Sequence, residues 1–232
     1  MVDIAGNCKR VLEAVGRAAE RSGRDPGEVR VLAATKTQPV SAVRAAVEAG
    51  VRLLGENYVQ EAQAKQDLVG DAAEWHLIGH LQRNKARAAV DLFSVIQTLD
   101  NMRLARILDR EGAERGRDIH VLAEVNLAGE RSKTGVAGDG LVPLLREVSG
   151  LERVKVRGLM IVPLLAEDPE ASRPCFRRLR ELRDSVNELG LPNVALEELS
   201  MGMTHDYEVA VAEGSTLVRV GTALFGPRSP SR

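Results

Sequence analysis

Cysteine, aromatic residues and net charge are all scarce in this chain of 232 residues, and each scarcity excludes something. The two cysteines, Cys8 and Cys175, lie far apart and outside any metal-ligand spacing. They read as reduced thiols of a cytoplasmic protein rather than as a disulfide framework. Aromatic residues make up 3% of the chain, too few for a platform that stacks single-stranded bases. The formal net charge is −1 with both signs interspersed, so there is no electrostatic footprint for nucleic acid or an anionic membrane. No apolar run approaches membrane-spanning length. The opening MVDIAGNCKRVLEAV carries acids and lacks the apolar core of a signal peptide. His76, His80, His120 and His205 have no metal-ligand spacing, so no metal is expected. The segment GERSKTG at 129–135 fails the spacing of a P-loop, which argues against a nucleotide site.

What the chain does contain is an alternation of short apolar runs with amphipathic stretches. Ile4 to Arg21 carries Ile4, Val11, Leu12, Val15, Ala18 and Ala19 at helical spacing. The next run, VRVLAATKTQ from Val29 to Gln38, is rich in β-branched residues and reads as a strand buried on both faces. Ser41 is then placed to cap a helix over Ala42 to Ala49. Further strands are predicted at Val51 to Gly55, Glu74 to Gly79, Leu92 to Gln97, Ile119 to Asn126, Val154 to Val162, Ala195 to Ser200 and Thr216 to Val220. Helices fall between them, the clearest at Asn101 to Arg115 and Pro174 to Leu189. Eight strands, each followed by a helix or helical turn and with no break in composition, argue for parallel α/β. An open doubly wound sheet would satisfy this pattern. Eight units near the roughly 250 residues typical of a (β/α)8 TIM barrel favour the barrel. A single domain over residues 1–228 is expected, with a frayed tail at 229–232 rich in Pro, Ser and Arg.

In a barrel the chemistry sits at the carboxyl ends of the strands. Those ends hold Lys36, Asn57, His76 with Gly79, Gln97, Asn126, Met160, Ser200, and Arg219 with Gly221. They are more polar than the strand bodies, as a small-molecule site requires, although strand ends are polar wherever loops begin. Lys36 stands at the mouth of a buried strand. Partial burial disfavours a charged ammonium and leaves the nucleophilic amine that Schiff-base chemistry needs; a lysine snorkelling to the surface would look the same locally. The last two strands run into Ser200-Met201-Gly202-Met203-Thr204 and Gly221-Thr222-Ala223. Small residues there let backbone N–H groups approach an anion, and barrels often bind phosphate at this place. Strand eight closes on strand one, which sets an amine beside a phosphate cup. That pairing is what pyridoxal 5′-phosphate (PLP) demands.

The segments VLAATKTQP, GENYVQEAQAK, WHLIGHLQRNK, VNLAGERSKTG, GLMIV and LSMGMTHDYEVAVAEGSTLVRVGTALFG follow one another from about residue 30 to 226. Together they resemble the YggS/PROSC family of PLP homeostasis proteins. The resemblance implies the fold-type III PLP-binding barrel, similar to the N-terminal domain of alanine racemase. It implies that Lys36 is the Schiff-base lysine, that Ser200, Gly202, Gly221 and Thr222 hold the phosphate, and that Arg219 faces the pyridine nitrogen. Asn57 and Met160 would lie near the ring. Arg83 and His205 depart from the family pattern, at positions where smaller residues are expected. The implied role is intracellular PLP homeostasis without robust turnover. A monomer is expected, with PLP-dependent apoenzymes or amino acids as its partners.

The alternative is a fold-type III amino-acid racemase. Two-base racemisation needs an acid/base on each face of the reacting carbon. Racemases of this kind draw a tyrosine from a second, β-rich domain of a partner subunit. This chain runs only shortly past strand eight, and Tyr58 and Tyr207 are its two tyrosines. Tyr58 or His205 would have to serve. His120 reads as a structural residue, and Trp75 as packing.

Overall fold

Each predicted apolar run lies between two amphipathic helices, and pairing such runs in parallel buries both of their faces. The computed structural model describes residues 2–127, 134–164 and 166–227. The tail at 229–232 and most of GERSKTG lie outside the described residues. The strands are β1 (Arg30–Ala34), β2 (Leu53–Glu56), β3 (Glu74–Leu77), β4 (Val95–Leu99), β5 (Ile119–Asn126), β6 (Val136–Ala137), β7 (Val154–Met160), β8 (Val194–Ser200) and β9 (Leu217–Val220). Their order is β4-β3-β2-β1-β9-β8-β7-β5, all parallel, and β4 also pairs with β5, which closes an eight-stranded barrel. The two-residue β6, which the sequence does not predict, pairs only with the last two residues of β5. Closure sets Leu32 of β1 level with Leu53 of β2 on one side and with Arg219 of β9 on the other.

The helices are α1 (Ile4–Arg21), α2 (Val40–Glu48), α3 (Val59–Val69), α4 (Ala86–Leu92), α5 (Met102–Arg115), α6 (Leu141–Val148), α7 (Arg173–Asn187), α8 (Tyr207–Ala212) and α9 (Thr222–Phe225). Among the described residues no helix is long and apolar enough to cross a membrane. Local chemistry explains the boundaries. Asn101 caps α5 by accepting from the Leu104 N–H at 2.9 Å, and Gly116 ends it in the left-handed conformation. Ser41 does not cap α2: the helix starts directly after Pro39 and takes Ser41 inside. β1 ends at Ala34, and Thr37, at φ 63°, turns the chain away from the extended direction. β4 starts at Val95 rather than Leu92 because α4 continues through Leu92.

The side-chain period of two splits each strand between two cores. Outward residues such as Val31, Ala33, Val121 and Val218 pack under the helices in one large cluster. Inward residues fill the barrel: Leu32, Leu53 and Leu217 on one side, Val95, Leu122 and Met160 on the other. α1 belongs to the outer layer, where it meets α8, α9 and α2. Its buried stripe includes Cys8, whereas Leu12, expected on that stripe, is exposed.

Candidate active site

Above the inward apolar layers, at the carboxyl mouth of the barrel, lies a cavity of about 590 Å³. Lys36, Asn57, Arg219, Gly221 and Thr222 line it. The extension of β8 adds Met203, Thr204, His205 and Asp206 to the wall, of which Asp206 is the one the sequence does not single out.

Lys36 is half-buried, in a turn two residues past the end of β1. A buried clamp grips both of its neighbours. The Lys65 ammonium of α3 donates to the Thr35 carbonyl at 2.7 Å, to Glu56 Oε1 at 2.6 Å and to Glu61 Oε1 at 2.8 Å. Thr35 Oγ donates to Glu56 Oε1 at 2.6 Å, and the Thr37 N–H donates to Glu61 Oε1. The left-handed Thr37 is thereby held in place. Glu56 Oε2 is buried with no partner, and burial pushes the Glu56 carboxyl above its usual range against the opposing pull of Lys65 and Thr35. The sequence reading missed this clamp. Its signal lay inside GENYVQEAQAK, where Glu61 and Lys65 are four apart on one helix face.

Arg219 points into the barrel, 5% exposed, and forms part of the cavity wall. Its guanidinium donates to the Ser200 carbonyl at 2.7 Å, to Ser200 Oγ at 2.6 Å and to the Ile161 carbonyl at 2.6 Å. All three acceptors are neutral. Burial draws its pKa down to about 10, which still leaves it charged at neutral pH; Glu124 and Asp206 oppose the shift.

Three of the sequence-predicted residues do not reach the wall. Ser200 is fully buried beneath it, its hydroxyl engaged with Arg219 and with Gln97 Oε1 at 2.6 Å. Met160 lies deeper, against Val95 and Leu122. Gly202 supports the wall from behind: at φ 93° its backbone runs so close to α8 that a Cβ would meet that of Ala210 at 2.5 Å. The wall itself is kept by Asp206, whose carboxylate accepts from the Met203 N–H at 2.7 Å and from Ser172 Oγ at 2.9 Å. Thr204 Oγ accepts from the Ala223 N–H at 3.2 Å, tying the two halves of the cup together. Among the described residues the backbone N–H groups of Thr204, Gly221 and Thr222 meet no acceptor. Three unsatisfied donors with small side chains suit an anion.

His205 sits on the rim, its Nε2 2.8 Å from the Glu167 carbonyl. His120 is half-buried in β5, and burial lowers its pKa. Neither Tyr58 nor Tyr207 lines the cavity. Arg83 lines a separate surface groove with His80 and Arg103. No group of three metal-ligating side chains occurs among the described residues.

A closed parallel barrel with a lysine and a buried arginine facing one cavity at its mouth defines a barrel of the alanine racemase N-terminal kind, and the family model for "alanine racemase, N-terminal domain" matches residues 12–229. The chain belongs to that family and, within it, to the pyridoxal phosphate homeostasis proteins. It is 44% identical over 220 residues to the member from Aquifex aeolicus, covering 94% of this chain and 96% of that one. It is 40% identical over 237 residues to the member from Escherichia coli K12, covering all of both. Among solved structures, PipY of Synechococcus elongatus with PLP bound superposes at TM-score 0.80 and 39% identity, covering 92% of this chain and all of that one. Alanine racemase of Clostridium difficile superposes at TM-score 0.75 but 13% identity, covering 97% of this chain and 58% of that one, so that likeness concerns the fold alone. Both of these relatives, matched over nearly their whole length, are named as homeostasis proteins rather than as enzymes.

Proposed function

We propose that this protein binds PLP as a Schiff base on Lys36 and serves intracellular PLP homeostasis as a carrier rather than as an enzyme. The observation that carries the reading is the shared cavity: a lysine, a buried arginine and Thr204, Gly221 and Thr222, whose backbone N–H groups meet no acceptor among the described residues, line one space. Its volume lies within the roughly 300–1,000 Å³ usual for small-molecule sites. Each residue then has a role. Thr204, Gly221 and Thr222 hold the phosphate through backbone N–H groups and hydroxyls, with Gly202 shaping the loop. Asn57 lies beside the ring, and Arg219 faces its nitrogen. Ser200 acts through Arg219 rather than on the phosphate, and Met160 forms the floor beneath. When bound, PLP supplies an aldehyde for the amine and a ring able to accept electrons. A fixed guanidinium beside the ring nitrogen disfavours a second positive charge there, which leaves a poor electron sink. The protein acts in the cytoplasm as a monomer and exchanges PLP with apoenzymes or amino acids.

The test is a visible absorption spectrum of purified protein with and without Lys36, followed by borohydride reduction and peptide mapping. The expected result is a yellow chromophore, absent in Lys36→Ala, and a reduced adduct on the peptide that contains Lys36. An adduct on another peptide overturns the assignment. The racemase reading requires Cα exchange of amino acids in heavy water at enzymatic rates, on the order of 10 s⁻¹. No tyrosine at the cavity supports that reading.

A further inference from the structure

Beneath Arg219 a line of buried polar side chains crosses the interior of the barrel to its opposite rim. Arg219 Nη1 donates to Ser200 Oγ at 2.6 Å, and Ser200 Oγ donates to Gln97 Oε1 at 2.6 Å. The Gln97 amide nitrogen lies 2.8 Å from His76 Nδ1, and His76 Nε2 lies 3.0 Å from Glu74 Oε1. Ser200, Gln97 and His76 are fully buried, while Glu74, at the amino end of β3, is partly exposed.

The donor inventory sets one direction for the whole line. A guanidinium only donates, so Ser200 Oγ accepts from it. The serine hydroxyl must then place its own proton on Gln97 Oε1. This turns the Gln97 amide donor toward His76 Nδ1, which therefore carries a lone pair, and the imidazole proton sits on Nε2, facing the Glu74 carboxylate. Flipping the Gln97 amide would set a second donor against Ser200 Oγ and leave the serine proton without an acceptor. Every link thus donates away from Arg219 and toward the one carboxylate in the line. Hydrogen bonds aligned in this way polarise one another in a low-dielectric interior. A buried cation needs such support, because its direct acceptors are all neutral and no carboxylate forms an ion pair with it among the described residues.

We propose that Glu74, His76, Gln97 and Ser200 are positioning residues that fix the guanidinium of Arg219 through a one-way hydrogen-bond chain, so that the closed rim of the barrel sets the cavity wall at the opposite mouth. As a statement about PLP this rests on the functional reading above; as a statement about Arg219 it does not. The Ser94 hydroxyl, which donates to Glu74 Oε1 at 2.8 Å, anchors the far end.

The decisive measurement is nitrogen NMR on protein free of PLP. His76 is expected as the neutral tautomer protonated on Nε2, and the Arg219 Nε–H resonance is expected to be sharp. His76 protonated on Nδ1 at neutral pH overturns the chain. Gln97→Met cuts the line without touching the cavity wall. It should broaden the Arg219 resonance, mix the His76 tautomers, shift the PLP absorption band and weaken PLP retention about tenfold, the effect of losing about 1.4 kcal/mol. Gln97→Glu keeps the acceptor for Ser200 and should restore retention to within about threefold while adding a proton on His76 Nδ1 to the one on Nε2, since a carboxylate at each ring nitrogen can only accept. Should Gln97→Met fail to fold, Glu74→Gln at the exposed rim carries the test through the His76 and Arg219 resonances. Unchanged resonances in a folded variant overturn the proposal. Wild-type protein that retains no PLP, with the resonances as expected, overturns the functional reading and leaves the chain standing.

Discussion

The two basic residues that line the cavity are held in opposite ways. The turn of Lys36 is held by charge: Lys65 lies between Glu56 and Glu61, all within β2 and α3, and the network closes on itself. Arg219 is held by neutral groups in series, drawn from β3, β4 and β8, and the only charge in that series stands at the far rim. The clamp fixes backbone on either side of a side chain, leaving the amine at the cavity. The chain fixes the side chain itself.

The largest effect is expected from the charged region. Lys65→Met leaves Glu56 buried without its cation, and breaking a buried pair from one side costs about 3–5 kcal/mol. At roughly 2–4 °C per kcal/mol for a chain of this size, the melting temperature should fall by about 10 °C. A fall of a degree or two would mean that the clamp resembles a surface ion pair, and the contrast with the neutral chain would collapse. Thr222→Val touches neither support. It removes a hydroxyl from the cavity wall, and a hydrogen bond to a charged group is worth about 1.5–3 kcal/mol. PLP retention in equilibrium dialysis should drop about ten- to a hundredfold with the melting temperature unchanged; a lowered melting temperature would show that wall and supports are not separable.

Acid gives the smallest effect and should act on the two regions with opposite sign. The hydrogen bond from His76 holds the Glu74 carboxyl at about 2, below its ordinary 4.5. Its contribution is therefore complete above pH 4.5 and is lost as pH falls toward 2. Since Glu74 is partly exposed, solvent screening keeps that contribution below about 1 kcal/mol. Burial raises the Glu56 carboxyl instead, so the folded protein takes up that proton first and the contribution of Glu56 rises as pH falls toward 4.5. Urea midpoints should show the gap between wild type and Glu74→Gln narrowing on acidification, while that for Glu56→Gln moves in favour of wild type. Parallel movement of both gaps would erase the distinction.

Strand-end reasoning reached Lys36, Asn57, Arg219, Gly221 and Thr222 because polar residues closing apolar runs converge once the strands are parallel. The same reasoning placed Ser200 and Met160 at the wall, where they are not. It counts position along a strand, and strands of a barrel are staggered, so the last residue of β8 lies below the rim that the turn of Lys36 reaches. His76 and Gln97 were noted only as strand-end polar residues. Their partners are Glu74, Ser200 and, through Ser200, Arg219, and the longest of these links joins residues 103 apart in sequence.

By itself the sequence determined the number and kind of the elements. Short β-branched runs and amphipathic spacing are local properties, and they bury themselves in one way whatever lies beyond them. It also determined the chemical inventory at the strand ends: an amine, an arginine and small residues suited to an anion. Only the tertiary structure decided which of these share a space. Alternation along a strand names two faces but not the neighbour across the barrel, nor the depth at which a side chain ends. Closure of β9 on β1 brought Arg219 and Gly221 to the lysine. Barrel register set Ser200 under the arginine rather than beside the cavity, because a buried guanidinium must find its acceptors in whatever the facing strands present.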